Sequence, residues 1–232
     1  MLRRTLLLAM LFWTSIAIAD DAGNNTLSKE EAREGFTLLF DGKTMDHWRG
    51  YQAKTVPSGW KVINGCIVRV GGGGDIISKK EFGNFELRLD WKVAPKGNSG
   101  IMYHVLEKDG LTSYMTGPEY QVLDNKGHAD GRNKLTSAGS CYGLYAPMKE
   151  VCNPAGEWNH ARIVIKDGHV EHWLNGTKVV EYVKGGDEWN KKLANSKFKQ
   201  WPEFGKPTHG HLCLQDHGDK VEYRNIRIRE LK

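Results

Sequence analysis

The sequence predicts an all-β fold, a sandwich of two antiparallel sheets with short peripheral helices. Three observations predict it. Phe85–Val93 alternates strictly, with Phe85, Leu87, Leu89, Trp91 and Val93 on one face and Glu86, Arg88, Asp90 and Lys92 on the other. That period of two belongs to a half-buried antiparallel strand. Short apolar runs recur along the chain, and two Asn-Gly pairs, Asn64-Gly65 and Asn175-Gly176, sit between such runs as hairpin turns. Helical patterning is confined to two short stretches.

The elements follow in chain order. Arg3 and Arg4 precede an apolar run, Leu6–Ile18, and Ala17-Ile18-Ala19 then matches a small-x-small cleavage site before Asp20. Residues 1–19 therefore read as a secretory signal peptide, and the product as secreted or periplasmic. The run is shorter than the roughly 20 residues that span a bilayer. No other stretch is apolar enough to cross, so no membrane association is expected once the leader is removed. Removing nineteen of the 232 residues leaves 213, the size of one β-sandwich domain, and lowers the formal charge from +5 to +3. Basic residues alternate with acidic ones, which excludes the clustered footprint of a nucleic-acid-binding protein.

Residues 20–34 are expected to be a polar segment ending in a short helix. Ser28-Lys29-Glu30-Glu31 has the form of a capping box, and Gly35 stops the helix. The domain proper then covers 35–232. Its expected strands include Trp60–Val62, Cys66–Val70, Phe85–Val93, Ile101–Leu106, Glu119–Leu123, Ala161–Lys166, Val170–Leu174, Lys178–Tyr182, Leu212–Leu214 and Val221–Ile228. In the last strand the apolar phase slips between Tyr223 and Ile226, which predicts a bulge near Arg224-Asn225. Asp187–Lys197 carries Trp189 and Leu193 at helical spacing. Of the four cysteines, Cys66 and Cys213 fall in apolar strand patterns, while Cys141 and Cys152 flank a loop-like stretch. In an exported chain these two are expected to form a disulfide. There is no CxxC pair to suggest zinc.

Aromatic rings that stack on pyranoses, and amides, carboxylates and imidazoles that read hydroxyls, point to a carbohydrate ligand. Tyr103, Tyr142, Trp158 and Trp173 are the aromatic candidates, with Tyr145. On Glu119–Leu123, Glu119 and Gln121 share the face opposite Tyr120 and Val122, so they point away from the core. Asp124 falls out of phase unless the strand bulges. Laminarinase-type glycosidases carry acid-x-acid-x-x-acid on such a strand, but the middle position here is Gln121. Gln215 and His217 lie opposite Leu212 and Leu214, and an imidazole can serve as acid or base near neutrality.

Taken in order, these residues resemble the 3-keto-disaccharide hydrolase domain family. The landmarks are Gly35–Lys43 with Trp48, Asn98-Ser99-Gly100-Ile101 with Tyr103, Gly117–Asn125, Pro154–Asn159, Val170–Gly176, and Gly210–Gly218 with Arg224-Asn225-Ile226. They cover residues 35 to 231. The resemblance implies a concanavalin-like jelly roll and cleavage of glycosides whose sugar is oxidised at carbon 3. The ketone acidifies the proton at carbon 2; a base removes it, the enolate expels the aglycone from carbon 1, and water adds back. On that reading Glu119 or His217 is the base, Gln121 and Gln215 bind hydroxyls or the keto oxygen, and Asp124 orients a partner. Cys141 and Cys152 depart from the family pattern, and an added loop disulfide accounts for both. The competing readings are a non-catalytic carbohydrate-binding module and an ordinary two-carboxylate glycosidase. Oxygen-rich loops leave room for a structural calcium, although no EF-hand spacing exists.

Overall fold

The computed structural model describes residues 23–232. The signal-peptide reading and its cleavage site lie outside the described residues. No helix among those described is long and apolar enough to cross a membrane.

Among the described residues, thirteen strands form two antiparallel sheets. They are β1 (Thr37–Leu38), β2 (Trp48–Gly50), β3 (Trp60–Ile63), β4 (Cys66–Arg69), β5 (Ile76–Phe82), β6 (Phe85–Val93), β7 (Asn98–Val105), β8 (Glu119–Leu123), β9 (Asn159–Lys166), β10 (His169–Leu174), β11 (Thr177–Val183), β12 (Gly210–Leu214) and β13 (Val221–Glu230). The larger sheet runs β11-β10-β9-β6-β13-β4-β3, with β1 also on β13, and the smaller runs β2-β5-β12-β7-β8.

The expected alternation of β6 holds. Phe85, Leu87, Leu89, Trp91 and Val93 are buried between the sheets, facing Ile76, Ile101, Tyr120, Leu212 and Leu214 of the smaller sheet in one core. The opposite face of β6 is less solvated than alternation alone suggests. Glu86 is buried there because Arg88 (2.8 Å), Arg162 (2.6 Å) and Arg229 (2.6 Å) close over its carboxylate. Their guanidiniums hold it below the usual carboxylate range against the cost of burial.

The local signals hold as well. The capping box is formed, with Ser28 accepting from the Glu31 N–H and Glu31 reaching back to the Ser28 N–H at the start of helix α1 (Lys29–Arg33). Asn64-Gly65 joins β3 to β4 and Asn175-Gly176 joins β10 to β11. All four residues have positive φ (50°, 72°, 49° and 78°), as a type I′ turn requires. The bulge in β13 falls between Arg224 and Arg227, with Asn225 at φ 56°. Helix α2 (Asp187–Ala194) is shorter than its apolar spacing suggests, because Ser196 caps a separate 3₁₀ turn, Lys197–Gln200, by accepting the Phe198 N–H.

The disulfide expectation is overturned. All four cysteines are free thiols. Cys141 pairs by backbone with Tyr120 and Tyr145, and its sulfur turns into the core against the Tyr182 hydroxyl (3.6 Å). Cys152 instead lies near the carbonyls of Asn153 (3.2 Å) and Leu123 (3.9 Å). Burial pushes both thiols up to about 12, which leaves little thiolate to start disulfide exchange.

Thiol titration of the unreduced, denatured protein should therefore find four reactive groups; a count of two would restore the disulfide. Leu87→Ala should lower unfolding free energy by about 2–5 kcal/mol in denaturant titrations, as a cavity between the sheets would.

Candidate active site

The strands β5, β12, β7 and β8 are consecutive neighbours, and their register sets a row of residues across the outer face of the smaller sheet. Leu214 pairs with both Ile76 and Ile101, and Gly100 pairs with Gln121. One residue outward from the buried set, Asp75, Gln215, Gly100 and Gln121 therefore lie side by side. The Gln215 N–H donates to the Gly100 carbonyl (3.0 Å), and the Asp216 N–H to Asp75 Oδ1 (2.8 Å). Above this row is a cleft of about 510 Å³. Asp75, Asn98, Glu119 and Gln215 line it, with a wall built from Thr112–Tyr114, Tyr142 and Lys197–Trp201, and His217 at its mouth.

Glu119 is the central group. Its side chain lies across Gly100, where a Cβ would come within 2.1 Å of Glu119 Oε1. The carboxyl occupies the space a side chain at position 100 would take, so any larger residue there would displace it. Burial pushes Glu119 up to about 8, the negative charge of Asp75 adds to the shift, and the Lys197 ammonium opposes it. Asp75 is also raised, chiefly by burial, although it accepts from the Ser113 hydroxyl and the Asp216 N–H. Asp216 itself is tied to Arg69 (2.7 Å) and accepts the Gly74 N–H (3.1 Å). The Lys197 ammonium rests on the Tyr142 ring (4.5 Å) and has no carboxylate partner among the described residues.

Several polar atoms in this region are buried without a partner among the described residues. They are both amide atoms of Gln121, Asn98 Oδ1, Gln215 Oε1, Thr112 Oγ1 and Ser140 Oγ. An unpaired buried polar atom costs about 1–3 kcal/mol. Such a concentration is complementary to a ligand rich in hydroxyls.

The structure brings together Glu119, Gln215, Tyr142 and His217 on this cleft, with Gln121 in the row beneath it. His217 is exposed, with Nε2 3.4 Å from Asn98 Nδ2. The other sequence candidates lie elsewhere. Asp124 does not face the cleft; it staples two loops, accepting the N–H groups of Lys96 (2.8 Å) and Lys126 (3.1 Å), and these with the Gly127 N–H hold its carboxyl low despite burial. Tyr103 is sealed in the core, where its hydroxyl meets His172 Nε2 (3.0 Å) and the Tyr182 hydroxyl. Tyr145 stacks there on Tyr182 at 4.6 Å. Trp158 and Trp173 lie on the far face of the larger sheet, covered by Arg224 (4.0 Å) and Arg162 (4.8 Å) respectively.

Sequence reasoning missed Asp75, Lys197, Tyr114 and Trp201. Asp75 had one local signal, the Gly71–Gly74 run that releases the chain just before the apolar Ile76-Ile77.

A half-buried acid over a bare glycine, in an amide-lined and aromatic-walled cleft on a two-sheet sandwich, defines a carbohydrate-active jelly roll. The chain belongs to the 3-keto-alpha-glucoside-1,2-lyase-like domain family, whose model matches residues 35–229. It is 39% identical over 229 aligned residues to a 3-keto-disaccharide hydrolase of Bacteroides thetaiotaomicron, covering 85% of this chain and 79% of that one. Among solved structures, a Parabacteroides distasonis protein provisionally described as a glycosyl hydrolase is 38% identical with a TM-score of 0.86. The match covers 90% of this chain and all of the other. A second protein so described from the same organism is 27% identical with a TM-score of 0.61, covering 79% and 99% of the two chains.

The Glu119 proton has a consequence for stability. Between about pH 4.5 and pH 8 the folded protein holds this proton while the unfolded chain has lost it. Folded-state proton excess makes this group's contribution fall as pH rises through that window. Glu119→Gln should remove the decline and be more stable than wild type at pH 8.5, measured by denaturant midpoints at pH 5 and 8.5. Equal slopes in the two proteins would show that Glu119 titrates normally.

Proposed function

We propose that this protein is an exported glycoside-cleaving enzyme acting on sugars that carry a ketone at carbon 3, by elimination followed by hydration. The observation that carries the reading is Glu119, a single carboxyl made unusually basic by burial and by Asp75. A general base works best when its pKa lies near the working pH. Ionised Glu119 takes the proton from carbon 2, and the electron pair moves into the enolate at carbons 2 and 3. The carbon 1–oxygen bond then breaks, and the proton on Glu119 passes to the departing glycosidic oxygen. Water adds to carbon 1 of the resulting enone while a proton returns to carbon 2. Atoms and charge balance with one carboxyl acting as base and then acid.

The other residues have supporting parts. Asp75 keeps Glu119 basic through its charge. The Lys197 ammonium supplies positive charge for the enolate oxygen. Asn98, Gln215 and Thr112 offer acceptors to sugar hydroxyls, and Tyr114 and Trp201, packed edge to face at 5.2 Å, offer apolar surface to the sugar ring or aglycone. Family membership and the 39% identical relative support the substrate class, and the leader-like residues 1–19 support export.

One observation favours a second reading: two carboxyls, Asp75 and Glu119, face one cleft, which is what an ordinary glycosidase needs. Solvent deuterium separates the two. The protein should release aglycone from a 3-keto-glucoside and not from the parent glucoside. Early product formed in deuterium oxide should carry deuterium at carbon 2 beyond that acquired by product incubated alone. Release from the unoxidised glucoside without deuterium at carbon 2 would establish the ordinary mechanism.

Glu119→Gln should lower turnover of the keto substrate by about 10²–10⁴-fold, the usual contribution of a general base. Wild-type kcat/KM should rise with pH and level off near 8, where Glu119 ionises. A rate independent of pH from 6 to 9 would exclude Glu119 as the base.

A further inference from the structure

His128, His217 and Asp219 each offer a donor atom, and the three atoms lie within 4.8 Å of one another, with His217 at the mouth of the cleft. We infer that they form a binding site for one divalent transition-metal ion, zinc or a first-row neighbour such as cobalt. Two imidazoles and a carboxylate are borderline donors that suit such ions, whereas calcium takes six to eight oxygens.

The donors come from separate parts of the chain. His128 follows β8, and His217 and Asp219 lie between β12 and β13. The two rings meet edge to face, with centroids 6.0 Å apart. His217 Nδ1 is 3.8 Å from Asp219 Oδ2. Asn98 acts as the outer support: its backbone N–H donates to Asp219 Oδ2 (3.1 Å), and its side-chain nitrogen lies 3.4 Å from His217 Nε2. Partners of this kind orient metal ligands. His128 Nδ1 accepts the Asp130 N–H (3.1 Å), so coordination through that nitrogen exchanges one cap bond for a coordinate bond.

A second cluster sharpens the contrast. His169, Glu171 and Glu181 approach one another just as closely. There Lys178 already binds both carboxylates (3.1 and 2.6 Å), and the Trp173 indole donates to Glu171 (2.7 Å). Asp219 has no lysine or arginine partner among the described residues, so its carboxylate is open to an added cation beside the Asn98 N–H.

Three protein donors leave coordination positions for a ligand. His217 borders the cleft that holds Glu119, so those positions are within reach of a bound sugar. A 3-keto sugar presents a ketone oxygen beside a hydroxyl, a pair that chelates a divalent ion. That last role rests on the keto-sugar reading; the metal site does not.

The test is titration of metal-stripped protein with Zn²⁺ and with Co²⁺, by calorimetry and by visible absorption of the cobalt complex, with no sugar present. One ion should bind per chain. His217→Ala and Asp219→Asn should each weaken binding by at least about tenfold, as even outer-shell losses commonly do, while circular dichroism and melting stay as in wild type. His169→Ala should bind like wild type. Binding should tighten with pH, because imidazoles ligate only when deprotonated. No saturable binding, or equal affinity in His217→Ala and Asp219→Asn, would overturn the site. Because no substrate enters this titration, failure of the keto-sugar reading would leave its outcome untouched.

Discussion

A carboxyl group shielded from water is costly to ionise, and Glu119 sits half-buried on the floor of the cleft, packed against Gly100. With any side chain at position 100, the Glu119 carboxyl would be lifted from the sheet toward solvent. Its proton affinity would fall, and the distances to Asp75 and Lys197 would change together. The sheet beneath is anchored by its core. Ile76, Ile101, Tyr120 and Leu214, the inward neighbours of the row, are almost wholly buried against the larger sheet. The strands that carry Asp75, Gln215, Gly100 and Gln121 thus cannot shift register without exposing this core.

The charges around the cleft are arranged in layers. Arg69 neutralises Asp216, and Asp216 in turn fixes the Gly74 N–H and offers its own N–H to Asp75. Asp75 has no cation of its own among the described residues, so its negative field reaches Glu119. On the far side of the molecule the logic is opposite. Glu86 is surrounded by three arginines and Asp90 is bound by His160 (2.6 Å), Arg224 (3.2 Å) and Asn225 (2.7 Å). The arginines hold the Glu86 carboxyl below the usual range, and both side chains belong to the architecture. One sandwich therefore holds saturated carboxylates on its larger sheet and under-partnered ones on its smaller sheet.

Much of this was legible in the chain. Strict alternation in β6, the two Asn-Gly turns, the capping box and the phase slip in β13 are local signals, and each is realised as read. Glu119, Gln121 and Gln215 were found because strand phase decides which face a side chain takes. Phase does not decide which sheet a strand joins. That is why Trp173, outward on β10, reads as a candidate for stacking on a sugar although β10 belongs to the larger sheet. Tyr103 failed for the converse reason: it points inward from β7, and its hydroxyl is satisfied by His172 and Tyr182 inside the core. Asp75 escaped notice because its meaning comes from β5 pairing with β12, some 140 residues further along. Lys197 begins a 3₁₀ turn and Trp201 follows it, and no local pattern encodes the position of that turn over the smaller sheet. Cys141 and Cys152 looked like partners from sequence proximity alone, and the backbone pairing of Cys141 with Tyr120 turns its sulfur away.

The two carboxyls of the cleft also bear on which chemistry it favours. An ordinary glycosidase divides labour, with one carboxyl protonated and the other kept ionised to face positive charge at carbon 1. That division needs environments that push the two pKa values apart. Here burial raises both Asp75 and Glu119; the Asp75 charge adds to the shift at Glu119, and the Asp216 charge adds to it at Asp75. Among the described residues, nothing comparable to the arginines around Glu86 pairs with either one. A reaction that builds negative charge on the sugar makes a different demand: one strong base, a nearby cation and neutral hydrogen-bonding groups. Glu119, Lys197 and the amides of Asn98 and Gln215 supply that set. The under-partnered state of the cleft thus supports elimination through an enolate over displacement through an oxocarbenium ion, on the same strands that either mechanism would use.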